Sequence, residues 1–185
     1  MTKVTLDIET IPSEHAMTIS PRNVDEDDQK YFTRLSCSGV TGQIICIGYA
    51  IDDREVVTIV GEEEVIIQEF WSRMIPVNLF IGHNILDFDI KHIIQRSIIH
   101  RLPYRAIPFI RFRNFPIYDT MHEWTKWHGR VHLSELALAF GFPSPKEVMS
   151  GAEVWPAYQR GEIEKIRTYC AGDVETTRNV YKRMI

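Results

Sequence analysis

Apolar and polar positions alternate over Lys3–Ile8, with Val4, Leu6 and Ile8 on one side. That period of two predicts a β-strand. Ile44–Ile51 (IICIGYAI) is an unbroken apolar run of strand length, as expected of a buried strand. Glu55–Val60 (EVVTIV) predicts a third strand, joined to the second by a tight hairpin at Asp52-Asp53. After Gly61 the period lengthens. Glu62, Glu63 and Glu64 suit the first turn of a helix, and Val65, Ile66, Phe70 and Met74 supply its apolar face. Asn78–Gly82 predicts a short fourth strand, Leu86–Ile99 a second helix and Asn114–Tyr118 a fifth strand. Ser134–Phe140 reads as a short helix capped by Ser134 and ended by Gly141 and Pro143. Glu162–Met184 predicts a long final helix.

Three strands in a meander, then helix, strand, helix, strand and helices, imply an α/β fold with a mixed sheet flanked by helices. The 185 residues suit a single domain, spanning 1–185. The stretch from about 11 to 43 is long for a connection and is read as a loop or insertion. Its acidic run, Asp25-Glu26-Asp27-Asp28, is read as solvated surface.

Composition excludes several classes. Hydrophobic residues make up 44% and charged residues 25% of the chain, ordinary for a globular protein. No apolar run reaches the roughly 18–20 residues that span a membrane, so no membrane association is expected. The N-terminus carries no signal-peptide core, so the expected location is cytoplasmic. Cys37, Cys46 and Cys170 form neither a disulfide framework nor a zinc knuckle. His128 and His132 stand four apart without the glutamate of a zinc-protease helix. The net charge of −4 speaks against a general nucleic-acid binder, unless the acids surround cations that reverse the local field.

The chemistry lies in carboxylates. Asp7 and Glu9 sit two apart on the first strand, so both point to one face, about 6.5–7 Å apart. Such a pair at the end of an apolar strand is costly unless compensated, and a hard divalent cation compensates it. A solvated pair is the plain alternative. Asp87 and Asp89 lie about 200° apart on a helix, so only one can serve that site. Asp87 also suits a helix N-terminus, and geometry alone leaves the choice open. On the last helix, Tyr169 and Asp173 are i, i+4 neighbours beside the apolar stripe, where they border the core and can face a cleft.

Together these segments resemble the three motifs of the DEDDy 3′→5′ exonucleases: D-x-E at Asp7 and Glu9, N-x-x-x-F-D from Asn84 to Asp89, and Y-x-x-x-D from Tyr169 to Asp173. The resemblance selects Asp89, after Phe88, over Asp87. It is closest to the small branch similar to the exonuclease domain of family-B DNA polymerases, as the segments Leu136-Ala137…Gly141-Phe142-Pro143…Lys146 and Asp173-Val174-Glu175-Thr176 suggest. The implied fold is ribonuclease H-like, with a five-stranded mixed sheet of three antiparallel strands then two parallel ones. The implied cofactors are two divalent cations, Mg²⁺ or Mn²⁺, about 3.5–4 Å apart. Asp7, Glu9 and Asp173 would ligate the ion on the nucleophile side, Asp7 bridging to the second ion. Asp89 would act there through water, and Tyr169 would orient the attacking water. The product would be a 5′-mononucleotide. The implied partner is nucleic acid, foremost single-stranded DNA 3′ ends, with replication or repair proteins as further candidates.

Substrate contacts are expected at Thr10 and Ile11, which follow the first motif, and at Asn84 and Phe88. Phe109–Phe115 (FIRFRNF) interleaves aromatics with Arg111 and Arg113, which suits stacked bases and phosphates of a single strand. It is read equally as a half-buried strand with an arginine-bearing outer face. Asp119 is expected to be structural, and Trp124, Trp127 and Trp155 to be core or edge aromatics. Two competing readings are an endonuclease or transposase on the same fold, and a catalytically inactive nuclease-like module that binds ends or a partner.

Overall fold

The computed structural model describes residues 1–143 and 149–185, so Lys146 lies outside the described residues. Five strands form one sheet: β1 (Lys3–Pro12), β2 (Gly42–Ile51), β3 (Val57–Val60), β4 (Leu79–Gly82) and β5 (Ile117–Asp119), in the spatial order β3-β2-β1-β4-β5. β1–β2 and β2–β3 are antiparallel; β1–β4 and β4–β5 are parallel. This is the mixed sheet expected from the strand order.

Strand alternation divides the molecule into three layers. Val4, Leu6 and Ile8 face one way, against α3 (Glu63–Arg73) and α4 (Asp89–Ile99), in a core with Ile66, Phe70, Ile90 and Ile93. Ile11, Ile45 and Cys46 face the other way, against α7 (Val154–Gln159) and α8 (Ile163–Met184). A buried ion cluster ties the first layer together. Glu63 accepts from the Ile44 N–H at 2.7 Å and from two Arg96 nitrogens at 2.8 and 2.6 Å. Glu63 is thus a structural clamp, where the helix dipole alone had been its expected role.

Several boundaries differ from the expected ones. On α3 the buried stripe is Ile66, Ile67, Phe70, Trp71 and Met74, while Val65 is 59% exposed. Two large residues, Ile67 and Trp71, rotate the stripe away from Val65. The second helix starts at Asp89 and not at Leu86, because residues 83–88 form turns. The fifth strand begins at Ile117, beyond the cis Phe115–Pro116 bond. α6 (Leu133–Ala139) starts one residue early, with His132 at its N-cap donating its N–H to Glu135 at 2.8 Å, and Ser134 is buried inside. A short α5 (Thr120–Thr125) follows β5 directly.

Residues 13–41 are not an irregular loop. They fold into α1 (Ala16–Ile19) and α2 (Asp28–Ser36). The acidic run organises α2: Asp27 caps it by accepting the Lys30 N–H at 2.8 Å, Glu26 pairs with Arg34 at 2.7 Å, and Asp28 with Arg22 at 2.6 Å. Acids at a helix start satisfy free N–H groups and the dipole, so the run is used rather than merely solvated. No helix is long and apolar enough to cross a membrane, among the described residues.

Candidate active site

β1 outruns one of its neighbours. It pairs with β2 as far as Pro12 but with β4 only over Lys3–Thr5. From Leu6 onward its second edge is open, beyond the carboxyl ends of two parallel strands, where open α/β sheets bind ligands. Asp89, the first residue of α4, reaches this edge and accepts the Ile8 N–H at 3.0 Å. That bond places Asp89 beside Asp7 and Glu9, which flank Ile8 on the opposite face. A register shift between Glu9 and Thr10 adds a local kink at the strand end.

The third motif arrives from α8. Gly48 lies opposite Asp7 in the sheet, and a Cβ there would stand 2.9 Å from the Cys170 Sγ and 3.0 Å from the Val174 Cγ2. The bare backbone lets α8 lie close to β2. Cys170 then contacts the Asp7 carbonyl through its Sγ at 3.6 Å, while Tyr169 and Asp173 on the flanking face are both 8% exposed. Asp7, Glu9 and Cys170 offer ligand atoms within 4.8 Å of one another. The Cys170 thiol is held protonated by its hydrogen bond with Cys46 and by burial, which leaves oxygen donors as the fit for a hard cation.

The electrostatics are one-sided. Burial raises Asp7 and Glu9 well above the usual carboxylate range, and neighbouring acids, Asp173 first among them, push them further. Burial also pushes Asp89 up to about 7; hydrogen bonds from its own N–H and that of Ile8 oppose this, and Asp119 and Asp173 add to it. Among the described residues, the charged neighbours acting on these three groups are acids and a thiol. Burial, then the carboxylates of Asp173, Glu9 and Asp7, likewise raise the Tyr169 phenol far above its ordinary value. A donor set of crowded carboxylates fits divalent cations.

Asp119 shapes the second motif. It is 2% exposed and accepts the N–H groups of Asn84 (3.0 Å), Leu86 (3.1 Å), Met121 (3.0 Å) and His122 (3.2 Å). It thereby caps α5 and holds the 83–88 turns, in which Asn84 takes a left-handed φ of 64°. The Asn84 Oδ1 is buried without a partner. Asp87 points away from the carboxylates and pairs with His122 at 3.2 Å, outside α4 altogether. It is therefore not a helix-capping residue.

Beside Glu9 lies a cleft of about 650 Å³, walled by α2 on one side and α7 on the other and lined by Thr10, Phe32, Phe88 and Trp155. Phe32 and Trp155 meet with ring centroids 6.0 Å apart. Ile11 is instead buried in the core with Ile45 and Cys46. Arg111 and Arg113 lie on an exposed irregular segment outside the carboxylate cluster, so the half-buried strand expected as an alternative is not formed. Sequence reasoning missed Gly48, Cys170, Phe32 and Trp155. None has a local pattern that announces its role; only the glycine inside an apolar strand was a usable signal of close approach.

The sheet order and helical layers are those of an exonuclease-like α/β domain. A family model described as "Predicted 3'-5' exonuclease related to the exonuclease domain of PolB" matches residues 42–185, and the chain belongs to that family. Its fold is similar to that of the family B DNA polymerase from the hyperthermophilic archaeon Pyrobaculum calidifontis, with a TM-score of 0.71 at 14% identity. That similarity covers 100% of this chain and 24% of the polymerase. No curated protein matches the chain significantly.

Proposed function

We propose that the chain, as one domain, is a metal-dependent 3′→5′ exonuclease that removes 5′-mononucleotides from single strands, DNA in preference to RNA. The observation that carries this reading is the convergence of Asp7, Glu9, Asp89 and Asp173 at the open edge of β1, where they raise one another's proton affinity. Two ions, Mg²⁺ or Mn²⁺, would neutralise this cluster and supply an activated water and charge stabilisation on the leaving oxygen. Asp7, Glu9 and Asp173 would hold them; Asp89 has one oxygen committed to the Ile8 N–H, which suits it to an outer role. Burial and the neighbouring carboxylates raise the Tyr169 phenol above its ordinary value, which suits it to orient the water by hydrogen bonding and not to take its proton.

Among the described residues, the cleft beside Glu9 is lined without lysine or arginine. It suits the sugar and base of a terminal nucleotide, with Thr10 and Phe88 as contacts; Asn84, expected as a further contact, is not among the residues that line it. The similarity to a polymerase domain points to replication or repair proteins as candidate partners. End-labelled single- and double-stranded DNA and RNA, incubated with Mg²⁺ or Mn²⁺, test the reading. A ladder that shortens from the 3′ end, and stops in chelator, is expected. Undiminished cutting in chelator, or equal cutting of 3′-blocked strands, would refute it. Binding of ends without cutting would identify an inactive module.

A further inference from the structure

Residues 101–116 (RLPYRAIPFIRFRNFP) connect α4 to β5 without regular structure after the first residue's turn, apart from a turn at 111–112. In a chain of net charge −4, this arm holds four arginines and no acid, with Tyr104, Phe109, Phe112 and Phe115 among them. Arg105 is drawn inward over the Phe80 ring. Arg111 and Arg113 form no ion pair among the described residues. The apolar groups are uncovered too: Phe109 is 44%, Phe112 73% and Phe115 53% exposed. Three large exposed rings on one short segment are the kind of uncovered apolar surface that marks a binding face.

Under the arm a cleft of about 320 Å³ opens between Phe109, Phe112, His122, Trp127 and Asp87. Its wall is already stacked. The His122 ring lies parallel to Trp127 at 4.5 Å, and Phe112 leans on Trp127 at 5.1 Å. Asp87 offers a carboxylate that can accept from the exocyclic amino group of a base. Asp87 is also two residues from Asp89, about 7 Å of extended chain, and the intervening Phe88 lines the cleft beside Glu9. One short loop therefore separates the carboxylates from the arm.

We propose that this arm and the His122–Trp127–Phe112 stack form a second binding site, for the bases and phosphates of the single strand upstream of the bond being cut. The proposal rests on the nuclease reading and deepens it. Unpaired cations interleaved with exposed rings match a ligand that presents phosphates and flat bases alternately, and the absence of acids on the arm matches a polyanion. Ions at the carboxylates would hold only the terminal nucleotide, and the arm supplies a grip on the rest of the strand.

The test is binding of a labelled oligothymidylate of roughly a dozen nucleotides, read by fluorescence anisotropy in Ca²⁺ across a salt series. Phe112→Gly suits the left-handed φ of 62° and removes only the ring. It should weaken binding about 5- to 150-fold. Arg111→Gln with Arg113→Gln should flatten the slope of log affinity against log salt by about 0.7 for each phosphate no longer neutralised. On an abasic strand the Phe112 deficit should vanish while the arginine deficit persists. Wild-type affinity and salt slope in both variants would overturn the proposal and give the arm to a protein partner. If those variants still bind normally while 3′ ends are hydrolysed, only this proposal fails. A wild-type protein that neither binds nor cuts any strand would sink both readings.

Discussion

Replacing Asp89 by asparagine should stabilise the metal-free protein at neutral and alkaline pH while abolishing hydrolysis. The carboxyl is 2% exposed and is pushed up to about 7, against an ordinary value of 3.8. The direction follows from proton linkage. Below about pH 4 the group is protonated folded and unfolded, and contributes no difference. As pH rises, the unfolded chain ionises first, so the folded state is disfavoured progressively until the folded group ionises near 7. A difference of about three pH units corresponds to on the order of 4 kcal/mol above that range. Asparagine retains an oxygen for the Ile8 N–H, which Asp89 now satisfies at 3.0 Å, and cannot ionise. For a chain of this size that difference is about 8–16 °C in Tm. The assay is thermal unfolding in chelator from about pH 4 to about pH 8. The variant and wild type should melt together at the acid end and diverge as pH rises. Added Mg²⁺ or Mn²⁺ should stabilise the wild type increasingly toward pH 8, and the variant somewhat less. The acid limb has another origin. Burial raises Glu63, but hydrogen bonds from Arg96, Ile44 and His100 outweigh it and hold Glu63 below its usual range, so its contribution is lost as pH falls. A variant less stable than wild type near pH 8, or a gap that does not widen with pH, would refute the reasoning.

Tyr169→Phe should keep metal affinity, measured by calorimetry, and lose about 10²–10⁴-fold in single-turnover rate, since it removes a positioning group and no ligand; a wild-type rate would reduce Tyr169 to an edge aromatic. Gly48→Ala should cost about 1–3 kcal/mol and lower the rate, because its Cβ would press on Cys170 and Val174 and lift α8 with Tyr169 and Asp173; unchanged rate and Tm would show that α8 does not depend on this close approach. Arg96→Ala should cost about 3–5 kcal/mol by taking the guanidinium from buried Glu63, which keeps only the Ile44 N–H and His100, yet leave metal affinity intact; denaturant unfolding and metal titration check the two halves separately.

What was legible in the sequence was local. The alternation of Val4, Leu6 and Ile8 revealed a strand with Asp7 and Glu9 on its other face, and the i, i+4 spacing of Tyr169 and Asp173 revealed a shared helix face; both periods are set by backbone geometry. A mixed sheet then followed from counting elements, and the pattern of three antiparallel and two parallel strands from the resemblance. What was hidden depends on partners distant in sequence. Leu86–Phe88 carry a helix-compatible pattern, but Asp119, some thirty residues on, accepts the N–H groups of Asn84 and Leu86 and holds the segment in turns. The helix therefore starts at Asp89, which turns its side chain to β1 and sends Asp87 to His122. The choice between the two aspartates is thus made by Asp119, a residue with no motif of its own. The 13–41 segment was opaque for a related reason: α1 and α2 bury Ala16, Tyr31 and Leu35 in a small separate core, too few positions to set a clear helical period. Yet α2 is one wall of the cleft beside Glu9. The carboxylates themselves follow from short spacings, whereas the surfaces that would select a substrate, α2, α7 and the 101–116 arm, are built from long-range packing. The carboxylate cluster was accordingly readable where the walls around it were not.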